Sequence, residues 1–454
     1  SGLAHYPTPG RIVDKENVLT SREGFYDTRS KLFIFRQNVR LVNPKGTLTA
    51  DSLLYNSLNR IATFQGPTRI TNKDGVLTAI AGQYNTATGI SNFQRRATVD
   101  TRKYRLTGDS LYYDNASELG VARGNVIMVA KDRKAIVTGE HVRYNGKAGI
   151  SRVTGRPVAK SLASEATKDT LYLRADTLFL FDNKATSTRR LLGQKNVFVY
   201  KSDLQSKCDS LIYDTADSTI YFFKKPIVWS QNKYQMEADT MRALLKNNRI
   251  NTMFLKTKSF VISLDTLKNY NQIKGRTVTA YFVSKLIPAS TTLPATNGST
   301  QKAITASTKS VGVASSTRPS SATVATPARE ETSLNRVIVE GNGQSIYYAV
   351  DDKNKMIGLN HVECSRMNIE FSNNKVGQIR FYGRPDAQLI PPKEFTDDAQ
   401  KLDGFRWREA EKPTKNQVLW LETPPEEQPA AKKSIKTRSV AKPLARKNVQ
   451  RGNN

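Results

Sequence analysis

The sequence predicts an all-β protein, built as one elongated array of stacked strands. A nine-residue motif recurs at nearly constant spacing along the chain. Within each copy the apolar residues alternate with a period of two, which is typical of strands and not of helices. Mean hydropathy is −0.52 over 454 residues, low for one large compact core. These three observations favour a repeat array over several globular domains.

The motif is clearest at 48–56 (LTADSLLYN) and 106–114 (LTGDSLYYD). Further copies occur at 19–27, 77–85, 137–145, 206–214 and 341–349, with weaker ones at 173–181, 236–244, 273–281 and 362–370. The third position is always small: Ser21, Ala50, Ala79, Gly108, Gly139, Ala175, Cys208, Ala238, Gly275, Gly343 and Cys364. Through the first nine copies these residues are 29 to 37 positions apart, and the gap of 68 before Gly343 contains an insertion. Such regularity predicts a structural repeat.

Each repeat unit is predicted to form two short strands. Positions three and five beyond the small residue share one face of a strand. They are mostly aliphatic and Tyr respectively, whereas position four, on the other face, is mixed. A turn and a second apolar run, such as 124–128 (GNVIM), complete the unit. One unit buries too little surface to be stable alone, so units must stack. With one rung per unit, eleven rungs would give a body roughly 50 Å long.

Composition divides the chain into five parts. Residues 1–286 and 337–385 are the two parts of the repeat array. Residues 287–336 form an insertion rich in Ser, Thr and Pro, with no Asp or Glu from 287 to 329. Residues 386–423 are a C-terminal extension, and 424–454 form a basic tail. We expect the insertion and the tail to be disordered.

The chain is strongly basic. It has 70 Lys and Arg against 40 Asp and Glu, a formal charge of +30. This balance favours a polyanionic partner, which could be nucleic acid, an anionic membrane surface or a phosphorylated glycolipid. No window approaches 18 consecutive apolar residues, so no membrane-spanning helix is predicted. Residues 1–9 do not resemble a signal peptide, so we expect either that none exists or that it has been removed.

Catalytic and metal-binding patterns are not apparent. Cys208 and Cys364 occupy the small-residue position, which predicts buried thiols rather than a redox pair. Position one beyond the small residue is often Asp, with a single such carboxylate in each of five units: Asp51, Asp109, Asp176, Asp209 and Asp239. Single carboxylates at that spacing do not supply a calcium site, so hydrogen bonding at a strand start is expected. We therefore predict no enzyme activity, no metal and no cofactor.

The repeat resembles the OstA-like, or LptA-like, lipopolysaccharide-transport family. The resemblance is carried by 106–114 (LTGDSLYYD), 124–126 (GNV) and 137–145 (VTGEHVRYN), and covers roughly residues 10–385. It is nearest to the long OstA-like proteins of Bacteroidetes-type bacteria. The resemblance implies an open, taco-like β-jellyroll whose apolar interior holds acyl chains while sugars and phosphates face water.

The same resemblance implies a place and partners. It implies a location in the periplasm or at the periplasmic face of the outer membrane. The implied partners are lipopolysaccharide, other transport proteins stacked end to end through strand edges, and the outer-membrane translocon. On this basis the chain is predicted to shield acyl chains during outer-membrane biogenesis. The alternatives are a structural β-solenoid or a basic nucleic-acid-binding protein, although the charge is not gathered with aromatics into a stacking platform.

The inward residues at positions three and five are the candidate site. Periodicity alone is equally consistent with a filled β-sandwich, and the resemblance favours a lipid groove. The Tyr residues could stack on sugars or pack in the core with their phenols at a rim. The groove candidates are Leu53, Leu111, Val142, Leu178, Leu211, Met241 and Val278 at position three, and Tyr55, Tyr113, Tyr144 and Tyr213 at position five.

Overall fold

A computed structural model of the chain describes residues 2–423, except 15, 45, 74, 132–134, 162–169, 184, 187, 247–248, 266, 288–328, 352, 354 and 373–374. The described part is one antiparallel sheet of 28 strands. The strands are β1 (Leu3–Tyr6), β2 (Gly10–Asp14), β3 (Asn17–Ser21), β4 (Glu23–Asp27), β5 (Leu32–Asn43), β6 (Gly46–Asn56), β7 (Ile61–Thr71), β8 (Gly75–Asn85), β9 (Ile90–Thr101), β10 (Tyr104–Asp114), β11 (Leu119–Ala130), β12 (Ala135–Asn145), β13 (Ile150–Thr154), β14 (Val158–Ser161), β15 (Leu171–Arg174), β16 (Thr177–Asn183), β17 (Thr188–Lys201), β18 (Leu204–Asp214), β19 (Thr219–Phe223), β20 (Ile227–Ser230), β21 (Tyr234–Glu237), β22 (Thr240–Lys246), β23 (Arg249–Leu264), β24 (Tyr270–Ile287), β25 (Arg329–Val350), β26 (Met356–Ser372), β27 (Lys375–Tyr382) and β28 (Asp386–Ile390). Two 3₁₀ turns (Pro392–Glu394 and Glu409–Glu411) and one α-helical turn, α1 (Lys415–Val418), follow.

The strands stack as 21 layers, each bent at a corner near its middle. Seven layers are broken at the corner into two strands: β1/β2, β3/β4, β13/β14, β15/β16, β19/β20, β21/β22 and β27/β28. Every other strand is a layer by itself, and we number the layers 1 to 21 in chain order. At about 4.8 Å per layer, the body is roughly 100 Å long. The prediction of one rung per unit is wrong, because each unit of about 30 residues supplies two layers.

The corner explains the small residue and the Asp of the motif. Ala50 and Gly108 lie at corners in even-numbered layers, where the pairing register shifts on both sides. The facing odd-numbered layers turn through left-handed residues such as Gly124, at φ +72°. A Cβ on Gly124 would lie 2.3 Å from Oδ2 of Asp109, so this position requires glycine. Asp109 accepts a hydrogen bond of 2.8 Å from the Asn125 side chain. The corner Asp therefore joins neighbouring layers, in place of the expected bond at a strand start.

The final Asn or Asp of the motif forms the hairpin tip. Asn56 Oδ1 accepts a hydrogen bond of 2.9 Å from the Leu58 backbone N–H. Asp114 Oδ1 accepts one of 3.0 Å from the N–H of Ala116 in the same way. Side-chain acceptors two residues before the donor are the signature of Asx turns. Each tip reverses the chain at one edge of the bent sheet.

The corner divides the sheet into two arms. The first arm holds the residues before the small residue in even-numbered layers, as in β6 before Ala50, and the second arm holds those after it. The motif copy predicted at 341–349 does not follow this rule, because β25 runs in the opposite direction. Ile346 and Tyr348 consequently lie on the outer face of the first arm, in a second hydrophobic core.

The C-terminal segment, residues 391–423, packs on that outer face. Gln272 is 1% exposed and its amide donates to the Gln400 carbonyl (2.7 Å) and accepts from Leu402 N–H (2.8 Å). Gln235, two layers away, contacts the backbone of residues 406 and 408 in the same manner. Further along, the Arg174 guanidinium lies 3.9 Å from the Trp420 ring centroid. The segment thus runs back along the first arm from layer 20 to layer 11.

The strand bounds can be compared with the predicted bounds of the insertion, and the cysteines with their predicted burial. Residues 329–336, within the predicted 287–336 insertion, belong to β25 and pair with β24. Residues 288–328 and the tail 424–454 lie outside the described residues. The free thiols of Cys208 and Cys364 are both buried, as their small-residue position predicted. They lie in β18 and β26, six layers or roughly 30 Å apart.

Candidate functional site

A long apolar groove lies between the two arms. Its volume is about 2250 Å³, and its walls run from Ile12 in layer 1 to Phe222 in layer 15, with Leu245 and Arg249 of layers 16 and 17 at the second-arm edge. Fourteen strand spacings correspond to a length of roughly 70 Å. The groove follows from the motif, because the inward faces of both arms are apolar and the corner holds the arms apart at an angle.

Three rows of side chains, each continuous in strand register, form the walls. The first-arm row includes Leu48, Ile70, Leu77, Val99, Leu106 and Met128. The floor row, next to the corner, contains the position-three residues. The tyrosine row, on the second arm, contains the position-five residues. In the groove section the first-arm and tyrosine rows are largely half-buried, whereas the floor is almost fully buried.

The tyrosine row alternates large and small residues. Tyr113 pairs with Gly120, which in turn pairs with Tyr144. A Cβ on Gly120 would lie 3.4 Å from the Tyr113 ring and 3.5 Å from Cβ of Tyr144, so the two tyrosines flank it. Burial raises the pKa of Tyr113 and of Tyr144 above the ordinary value, with Glu118 contributing to both. The phenols are therefore neutral at physiological pH, and they add no charge to the wall.

The predicted site residues divide into two groups. Eight line the groove: Leu53, Leu111, Val142, Leu211, Tyr55, Tyr113, Tyr144 and Tyr213. The other three, Leu178, Met241 and Val278, are 0%, 3% and 0% exposed and belong to the packed core without lining the groove. Leu178 lies beneath the groove wall at layer 12. Met241 and Val278 lie in layers 16 and 18, beyond the end of the groove floor. All eleven share one inward surface, and the local packing decides which of them line the groove.

Sequence reasoning missed the first-arm row. A signal was present, because the first letter of the motif copies supplies Leu48, Leu77 and Leu106, two residues before the corner. The predicted alternation runs only forward from the small residue. Counting backward by two from the small residue reaches the opposite wall, although the alternation shifts by one position at the corner, between Ala50 and Leu53.

Among the described residues, charged side chains line the groove only at or near strand ends. On the second-arm edge, Arg190 contacts Asp214 (2.5 Å). On the first-arm edge, Lys201 contacts Asp203 (2.6 Å), and Lys160 lies one residue from the end of β14. The mouth is thus polar and charged while the walls are apolar. Such a gradient suits an amphiphile with its head at the mouth and its hydrocarbon inside.

Apart from Leu245 and Arg249 at the second-arm edge, the groove ends at layer 15, although the three rows continue. Beyond it, the tyrosine row becomes Ala243, Met253, Ala280 and Val337, each at most 1% exposed. The floor continues with Leu255 and Val339, also at most 1% exposed. We refer to layers 16–21 as the closed end. Here the two inward faces cover each other and form an ordinary β-sandwich core.

Neither a metal-binding cluster nor a reactive thiolate is found in the described part of the chain. Among those residues, no three His, Cys, Asp or Glu side chains lie together in a way that could hold a metal ion. Burial raises the pKa of the Cys208 thiol far above its ordinary value, so a thiolate nucleophile is disfavoured there. None of the described helices is long and apolar enough to cross a membrane.

Comparison with known proteins bears on the family. The family model described as OstA-like protein matches residues 1–51 and 38–109. Among solved structures, the chain is similar to LptH of Pseudomonas aeruginosa, described as the LptA-homologous periplasmic component of the lipopolysaccharide transport device. That alignment has 18% identity and a TM-score of 0.22, and it covers 26% of this chain and 79% of LptH. No curated protein matches the chain. The family match over the first 109 residues agrees with the resemblance to OstA-like proteins that the repeat motifs indicate.

Proposed function

We propose that this protein binds the acyl chains of lipopolysaccharide in its groove and carries the lipid across the periplasm, without enzymatic activity. The observation that carries the proposal is the groove itself, a continuous apolar channel of about 2250 Å³ bordered by polar edges. Water in such a channel is displaced favourably by hydrocarbon, at about 25 cal/mol per Å² of apolar surface covered. Several acyl chains side by side would cover the walls more completely than one.

The charges at the mouth support an anionic head group. Lys160 and Lys201 lie on one edge, and Arg189 and Arg190 lie on the other. Several of these cations contact a carboxylate, so a phosphate would enter an existing ion-pair network. Salt should therefore weaken lipid binding without abolishing it, since the acyl contacts are unaffected by screening.

The proposed partners are other transport proteins with the same sheet architecture. The last layer, β27 and β28, pairs on one side only in the described chain. Leu389 and Tyr382 are 58% and 46% exposed there. An unpaired strand edge can accept a strand from another protein. We propose that this edge joins a neighbouring subunit, with the translocon as the eventual partner at the outer membrane.

Lipid analysis of the protein from its own host tests the proposal. The protein is purified without detergent, and bound lipid is extracted and identified by mass spectrometry. Lipopolysaccharide or its acylated core should be recovered in near-stoichiometric amount. Recovery of nucleic acid instead would favour a basic nucleic-acid binder, and recovery of no ligand at all would favour a structural β-solenoid.

A further inference from the structure

The groove is open in one part of the molecule and filled in the other, and this has a consequence for lipid transfer. All three rows continue in strand register from layer 1 to layer 20. In the first-arm row, for example, Met236 and Val261 continue the line of Leu106 and Met128, yet each is 2% exposed. The change is therefore in the separation of the arms and not in the path of the strands.

The residue type along the tyrosine row explains the change. Tyr213 in layer 14 is the last tyrosine of the row, and the equivalent residues two and four layers on are Ala243 and Ala280. Large phenols hold the arms apart, whereas alanines allow them to approach. Met253 lies between those alanines and Val337 lies next to Ala280 on its other side, at 0% exposure each.

The C-terminal segment reinforces the closed end from outside. It binds the outer face of the first arm through Gln235 and Gln272, in layers 16 and 18. It also completes the second core, in which Leu402 is 5% exposed. The segment thus stiffens the first arm, and separating the arms at layers 16–20 would have to disrupt the packed interior between them. Protein interiors are packed as densely as organic crystals, so hydrocarbon cannot thread through.

We propose that the closed end is a barrier to lipid, so that the groove is loaded and emptied only through its long mouth or past layer 1. A subunit joined at the β27–β28 edge would then be held by strand pairing alone and would receive no lipid through the groove of this chain. The inference rests on the proposed function, and it adds a direction to it: the lipid-exchanging partner lies on the layer 1 side or along the mouth.

The six methionines of the chain allow a test without disruptive substitution. Met128 lines the groove, and Met236, Met241, Met253 and Met367 lie in the closed end, whereas Met356 packs against the second core. The protein is produced with photo-methionine, incubated with purified lipopolysaccharide, irradiated and mapped by peptide mass spectrometry. We expect adducts on the Met128 peptide at a yield at least tenfold above that of the Met253 and Met367 peptides.

Matched variants extend the test along one row. Leu211 and Leu255 are both on the floor, 2% and 1% exposed, in layers 14 and 17. Leu→Met conserves volume and is well tolerated in cores. Photo-methionine should capture lipid at position 211 of the Leu211→Met variant and not at position 255 of the Leu255→Met variant. Comparable yields at both positions, or at Met128 and Met253, would overturn the barrier while leaving lipid binding intact. No adduct at any methionine would contradict the proposed function itself, and the inference with it.

Discussion

Met128 and Ile127 are consecutive residues of β11 on opposite faces of the first arm, and they provide a matched test of the groove. Met128 lines the groove between Leu106 and Val137, its register partners. Ile127 points outward and is 37% exposed. We expect Met128→Asp to weaken lipid binding strongly and Ile127→Asp to leave it unchanged. The two variants carry the same added charge, so general electrostatic repulsion is controlled.

The magnitude follows from what the lipid covers. Losing the contact of one large apolar side chain with hydrocarbon costs about 1.5–3 kcal/mol. Covering an unpaired carboxylate with acyl chains adds several kcal/mol unless it takes up a proton. If the loss of binding free energy is at least about 3 kcal/mol, the affinity for lipid should fall at least ~100-fold. Met128 is half-buried, so the empty groove leaves the new carboxylate hydrated and folding should lose only about 1–2 kcal/mol.

The assay is equilibrium binding of purified lipopolysaccharide to each variant, with circular dichroism and urea unfolding as controls for folding. Equal affinity of a folded Met128→Asp protein and the unaltered chain would refute the groove assignment. Equal loss of affinity in both variants would indicate that charge repulsion, and not hydrocarbon contact, controls binding. Leu178 is unsuitable for this purpose, because at 0% exposure its replacement by Asp would perturb folding first.

Three further predictions concern stability and the insertion. Arg408 lowers the pKa of Glu411 to about 2, chiefly through their hydrogen bond; Glu411→Gln should therefore cost about 1–2 kcal/mol at pH 7 after allowance for solvent screening. The folded pKa lies below the ordinary 4.5, so the difference should be present above pH 4.5 and vanish as pH falls toward 2 in urea titrations. Leu402→Ala should destabilise the second core by about 2–4 kcal/mol and expose the C-terminal segment to protease, with lipid capture at Met128 retained; unchanged proteolysis would contradict the packing described. Ile287 and Arg329 are register partners, so replacing 288–328 by a short turn should preserve the cooperative unfolding transition, and its loss would show that the segment is structural.

The sequence by itself determined the repeat and the role of most motif positions. The period of two predicted one inward surface, and Leu53, Tyr55 and their equivalents lie on one surface of the sheet. The small residue and the turn-forming Asn or Asp were recognisable because local backbone geometry restricts those positions to a few residue types. The same logic failed for 341–349, since a small residue also fits the strand that runs the other way.

The tertiary structure alone decided where the inward surface is a groove and where it is a core. Leu211 and Leu255 occupy equivalent positions on the floor, yet only Leu211 lines the groove. The difference depends on the distance between two arms that are joined at a corner, and hence on how side chains from neighbouring layers pack between them. The C-terminal segment adds to this, because its binding to Gln235 and Gln272 joins residues about 130 to 170 positions apart. Local periodicity contains no information on such contacts, and they determine which apolar surface remains available to a ligand.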